Sequence, residues 1–136
     1  MTTTACRILL ADDDRDVQRA VWRVATQHGH ELIQVTVGGA VFASALLIKP
    51  DLIVLDVAFP DADGRDLLAQ LKADPRTKKI PVLVWSGRQD RASESRIVLS
   101  LGAEDYVEKS DALTLMGKIE RLLLRLNESG AERAVA

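Results

Sequence analysis

Two periods of hydrophobic and polar positions alternate along this chain. Short, almost wholly apolar runs fall at Arg7–Ala11, Leu32–Val35, Asp51–Leu55, Ile80–Trp85 and Asp105–Val107. Runs this short and continuous read as strands buried on both faces, as in a parallel sheet. Between them, apolar residues recur at helical spacing. Val17, Ala20, Val21 and Val24 mark a first helix, with Asp14 as N-cap and Gly29 as its stop. Gly38-Gly39 opens a second helix reaching Leu47, Leu67, Leu68 and Leu71 mark a third, and a fourth ends near Leu101-Gly102. Leu115, Ile119, Leu122, Leu123 and Leu126 line a last helix that Asp111 caps. Strand and helix alternate five times, which predicts an α/β domain: a doubly wound, five-stranded parallel sheet in a three-layer sandwich. Residues 1–126 make up this domain, and 127–136, without an apolar period, read as a disordered tail. The domain takes up the chain, so no effector domain is expected within it.

Composition narrows the class. A 136-residue chain that is 47% hydrophobic can bury a real core. Eighteen basic against 20 acidic side chains leave a net charge of -2, which argues against direct nucleic-acid binding. No apolar run approaches the length that spans a bilayer, and Met1–Ala5 lacks the order of a signal peptide. The single cysteine, Cys6, permits no internal disulfide and reads as a small packing residue, so the expected compartment is the cytosol.

The strand ends carry the chemistry. In an open α/β sheet the carboxyl edge is where ligands bind. Four of the expected strands end there in polar groups: Asp12-Asp13, Asp56, Ser86 and Lys109. Asp56 stands alone at the end of a central strand and is the group best placed to attack an electrophile. Asp13, with Asp12, would hold a divalent cation, Mg²⁺ first and Mn²⁺ as a substitute, because crowded carboxylates repel unless a cation joins them. Lys109 would bring a point charge to a phosphate oxygen, and Ser86 a hydrogen bond. Nucleophile, metal and cation are the parts of phosphoryl transfer.

In order and spacing these residues resemble the receiver domains of bacterial two-component response regulators, of the chemotaxis-regulator-like kind. The resemblance covers about Arg7 to Leu126 and rests on Ile8–Asp14, Pro50–Asp56, Pro60 and Gly64, Ile80-Pro81-Val82 leading to Ser86, and Gly102–Tyr106 leading to Lys109. It implies a (βα)5 flavodoxin-like fold. It also implies that Asp56 accepts phosphate from a histidine kinase or phosphotransfer protein. Asp13, Asp56 and the main-chain carbonyl of Ala58 would bind Mg²⁺, and Asp12 would support it through water. Ser86 and Lys109 would contact the phosphoryl group, and Tyr106 would be the aromatic switch that turns with Ser86. Such a protein is no ordinary enzyme, although it catalyses its own phosphorylation and dephosphorylation. Its output would pass to a protein partner through the face built from the fourth helix, fifth strand and fifth helix, with the chain a monomer or weak dimer.

Three departures from the family pattern lie on the side that transmits the signal. Ser110 follows Lys109 where proline is usual, Gly87 replaces a commoner alanine, and the stretch from Ser86 to Lys109 is about one residue longer. With serine, a trans Lys109–Ser110 bond is expected. The departures motivate an alternative, a receiver-like adapter that works without phosphorylation. A phosphatase with an Asp nucleophile fits less well, because the position two residues after Asp56 is Ala58. Outside the site, Trp85 is expected to turn its ring away into the helix layer. His28 and His30 lie far from the acidic edge, and Arg88 sits where it could govern access of water.

Overall fold

The computed structural model describes residues 5–87 and 91–135, apart from the side chains of Arg91 and of residues beyond Glu128. The elements follow in the order β1 (Arg7–Ala11), α1 (Arg15–Gln27), β2 (Glu31–Val35), α2 (Val41–Ile48), β3 (Leu52–Leu55), α3 (Gly64–Ala73), β4 (Val82–Ser86), α4 (Arg91–Ser100), β5 (Asp105–Glu108) and α5 (Ala112–Val135). A short 3-10 turn, Gly38–Ala40, leads into α2. The strands form one sheet in the order β2-β1-β3-β4-β5, every neighbouring pair parallel.

Strand alternation divides the core in two. Leu9, Ala11, Ile53, Leu55, Val82 and Val84 face one way, against Val41 and Ala45 of α2, Leu68 and Leu71 of α3 and Val98 of α4. Ile8, Leu10, Leu52, Val54, Leu83 and Trp85 face the other way, against Val21 and Ala25 of α1 and Leu115, Met116 and Ile119 of α5. Both faces of β3 are therefore covered, and all four of its residues are fully buried. Each contributes about 1.5–3 kcal/mol relative to an exposed side chain. This is why the central strands read as unbroken apolar runs and not as alternating ones.

Helix ends follow the chemistry of their caps. The Asp14 carboxylate accepts hydrogen bonds from Asp16 and Val17 N–H at 2.9 and 3.3 Å, satisfying donors at the start of α1. Gly29 follows α1 with φ +82°, a conformation that a side chain would strain. At α5 the Asp111 carboxylate accepts from Thr114 N–H and hydroxyl, both at 2.8 Å. The helical backbone of α5 continues past Leu126 to Val135. Backbone hydrogen bonding carries a helix on after its packed face ends, and Asn127 to Val135 contains no proline to stop it.

A clasp between the α1–β2 corner and α5 was not visible in the sequence. Glu120 of α5 takes His28 Nδ1 on one oxygen and His30 Nε2 on the other, each at 3.0 Å. His30 is buried, and its Nδ1 accepts from Cys6 N–H at 3.1 Å. The ring proton therefore sits on Nε2 and is donated to Glu120. Burial pushes the Glu120 carboxyl up, but the hydrogen bonds from His30 and His28 outweigh it and leave it below its ordinary value. A carboxyl lowered in the folded state adds stability above its unfolded pKa, and that stability is lost as pH falls through the folded value. Glu120→Gln is thus expected to cost about 1 kcal/mol at pH 7 and much less near pH 3. Urea melts at the two pH values would check this, and an equal deficit at both would reduce the clasp to packing.

Candidate functional site

The chain leaves β1 for β2 on one side and returns to β3 on the other. The crevice beyond the carboxyl ends of β1 and β3 is therefore the topological switch point. The register pairs Ala11 with Leu55, so the next residues, Asp12 and Asp56, emerge side by side. Both are pinned to the sheet edge: Asp12 N–H donates to the Val35 carbonyl at 3.0 Å, and Asp56 N–H to the Ala11 carbonyl at 2.9 Å. Asp12 is fully buried, Asp56 is 4% exposed, and Asp13 is exposed. Carboxylate oxygens of all three lie within 4.8 Å of one another.

Lys109, the residue directly after β5, closes the cluster. Its backbone N–H donates to the Ser86 carbonyl at 2.9 Å, fixing the start of the stem. Its Nζ lies 2.8 Å from Asp12 Oδ2 and donates to Asp56 Oδ2 at 3.0 Å. Asp56 Oδ1 accepts from Ala58 N–H at 2.9 Å, which folds the loop after β3 back over the acceptor. One ammonium thus bridges two of the three clustered carboxylates. Burial pulls Lys109 down, but the hydrogen bonds and charges of Asp12 and Asp56 prevail and hold its pKa above the ordinary lysine value. Asp12 moves up, because enclosure outweighs the help of Lys109 and the Asp14 N–H, and the Asp56 charge adds to the rise.

The supporting residues were less legible. Gln18 is buried on the inner face of α1, and its Nε2 lies 2.9, 3.0 and 3.1 Å from the carbonyls of Leu10, Asp12 and Val35. It ties the helix to the strand ends that carry the acids. The one available signal was an amide three residues before Val21, on the apolar face. Asp61, in the loop after β3, accepts from Gly38 and Gly39 N–H at 2.9 and 3.0 Å. Gly64 closes that loop so tightly that a Cβ there would lie 2.2 Å from Val57 Cα.

On the signalling side, Ser86 ends β4 fully buried. Tyr106 packs against the core shared by α2, α3 and α4, and its hydroxyl donates to Glu94 Oε1 of α4 at 3.0 Å. Glu94 was not singled out by the sequence, although a carboxylate one turn before the buried Val98 occupies an inward position. No peptide bond among the described residues is cis, so Lys109–Ser110 is trans, as expected. The suggested role of Arg88 lies outside the described residues. One expectation needs correction: the Trp85 ring packs against the α1 and α5 layer, yet Lys109 Nζ lies 5.4 Å from its centroid. Alternation correctly assigns its face but says nothing of a long lysine stem folding back from the neighbouring strand.

The acidic cluster suits a hard cation. Its donors are all carboxylate oxygens, the set that favours Mg²⁺ or Mn²⁺ over softer metals, and the exposed Asp13 leaves the cluster open to solvent.

Comparison with known proteins agrees with this arrangement. The family model described as "Response regulator receiver domain" matches residues 8–120. Among curated proteins, the chain is 34% identical over 131 residues to "Response regulator MprA" of Mycobacterium leprae, covering 96% of this chain and 56% of that protein. The chain spans about half the length of such relatives. Among solved structures, a response regulator from Desulfuromonas acetoxidans superposes with TM-score 0.78 at 32% identity, covering 88% of this chain and 98% of that one. The Mn(2+)-bound form of response regulator Rcp1 gives 0.69 at 31% identity, covering 85% and 88%. Taken with the acids at the β1–β3 switch point and the lysine bound to them, these matches show that the chain belongs to the response regulator receiver domains.

Proposed function

We propose that this receiver domain takes a phosphoryl group onto Asp56 from a histidine kinase or histidine phosphotransfer protein, with Mg²⁺, in the cytoplasm. The observation that carries this reading is the Lys109 ammonium held jointly by Asp56 and Asp12 beside the exposed Asp13. Asp56 is the nucleophile, because it follows the central strand β3, turns one oxygen to the Lys109 ammonium and the other to the Ala58 N–H, and is not wholly enclosed as Asp12 is. As its carboxylate oxygen bonds to phosphorus, the phosphorus–nitrogen bond of the donor phosphohistidine breaks and the freed imidazole takes up a proton. Asp13, Asp56 and the Ala58 carbonyl would hold Mg²⁺, with Asp12 supporting it through water. The bound ion would neutralise charge developing on the phosphoryl oxygens. Lys109 then moves its charge from carboxylate to phosphoryl oxygen, and Ser86 contributes a hydrogen bond.

The product places a phosphoryl group of about two negative charges where the carboxylate carried one, at a buried edge. That change biases an equilibrium through Ser86 and Tyr106 toward the α4–β5–α5 face. Ile97 of α4 and Leu113 of α5 are 39% and 62% exposed, which supports a protein partner there. Intact mass and peptide mapping after acetyl phosphate treatment test the reading. We expect one phosphoryl group on Asp56 with Mg²⁺ and none with EDTA. An unmodified protein would overturn it in favour of the phosphorylation-independent adapter, and labelling that ignores EDTA would overturn the role of Mg²⁺.

A further inference from the structure

We propose that Trp85 is a positioning residue for phosphorylation at Asp56, its indole face holding the Lys109 ammonium over the site while the acceptor changes charge. This rests on the phosphoacceptor reading above and assigns a further residue to it.

The placement is direct. Trp85 precedes Ser86 on β4 and pairs in register with Val107 of β5, two residues before Lys109. Lys109 starts beside Gly87, where an added Cβ would lie 3.9 Å from both its Cβ and Cδ. Its stem then crosses the end of β4 and brings Nζ to 5.4 Å from the Trp85 ring centroid, within the range of cation–π attraction. The ring is 2% exposed, and its Nε1–H has no hydrogen-bond acceptor among the described residues. A leucine or phenylalanine would fill such a space without burying an orphan donor. Of the aromatic faces, indole holds a cation best.

The reaction explains why such a shelf matters. In the resting site Lys109 Nζ has two carboxylate partners, Asp12 Oδ2 and Asp56 Oδ2. On phosphorylation Asp56 ceases to be a carboxylate, and the ammonium must pass to a phosphoryl oxygen. A hydrogen bond ties it to one atom, whereas the attraction of a ring face varies little as the cation shifts by a fraction of its distance. The same face keeps water from the underside of the ammonium. Trp85 therefore holds Lys109 in both states and shortens its search for the incoming phosphoryl group.

Two measurements on the full chain test this. In a Trp22→Phe background Trp85 is the sole tryptophan. Its emission should change when beryllofluoride is added to the Mg²⁺-loaded protein, because the lysine above it moves. Separately, labelling by acetyl phosphate should slow about tenfold in Trp85→Leu, while Trp85→Phe, which keeps a ring face, stays within about threefold of the parent. Equal slowing in both variants, or unchanged emission, would overturn the proposal. If Trp85→Leu fails to fold, the emission of the native indole decides. A parent protein that takes no label refutes the phosphoacceptor reading itself, whereas a labelled parent with an unimpaired Trp85→Leu refutes only the role of Trp85.

Discussion

Replacing Lys109 with methionine should destabilise the metal-free protein by about 3 kcal/mol at pH 8, the low end of what breaking a buried ion pair costs. The low end applies because the lysine side chain is 27% exposed, so water reaches part of the pair. The cost arises in what is left behind. Asp12 is fully enclosed and Asp56 nearly so, and without Nζ they face each other as two buried anions. The deficit should depend on pH. Asp12 already sits above its ordinary pKa, so the folded state holds its proton more tightly than the unfolded one. For such a group, stability is present below the unfolded pKa and lost as pH rises through the folded value. Loss of Lys109 lifts Asp12 further, so acidification should neutralise it and close much of the gap with the parent by pH 5. Urea melts in EDTA at the two pH values would read this. A variant as stable as the parent at pH 8 would show that water alone solvates the acids.

Removing one of the acids should act in the opposite direction. Asp13→Asn is expected to raise the melting temperature in EDTA, since one fewer like charge crowds the edge. The rise is modest, because Asp13 is exposed and its repulsion is screened. The larger effect concerns the cation. A ligand that binds only the folded state stabilises it by about 2.7 kcal/mol at a hundredfold excess over its dissociation constant. With Asp13 uncharged, most of that increment should disappear at the same Mg²⁺ concentration. Melting curves of both proteins in EDTA and in excess Mg²⁺ check the two parts separately. A lower melting temperature for Asp13→Asn in EDTA would count against a repulsive cluster. An undiminished Mg²⁺ increment would remove Asp13 from the cation site.

The two predictions draw on different levels of the molecule. That Asp12, Asp13 and Asp56 share an edge was legible from apolar runs that stop at carboxylates, because a parallel sheet sets all its strand ends on one side. Ser86 and Lys109 followed from the same rule. The partners of those residues were not legible. Nothing local in Glu94 indicates that its carboxylate takes the Tyr106 hydroxyl, and His28, His30 and Glu120 meet across a separation of about ninety residues. Asp61 carries no local signal of its partners, yet it binds two backbone N–H groups of the turn before α2. Periodicity reports which face of an element is buried; it carries no information about which side chain stands opposite.

By itself, then, the sequence determined the alternation of strand and helix, the two-sided burial of the central strands and the acidic edge, since each depends on local pattern and on the direction of parallel strands. Only the tertiary structure decided that Lys109 bridges Asp12 and Asp56, that Trp85 lies beneath it, and that α1 and α5 are clasped through Glu120. Those contacts depend on how far a stem reaches and how two elements are oriented, quantities set by the packing of the whole core.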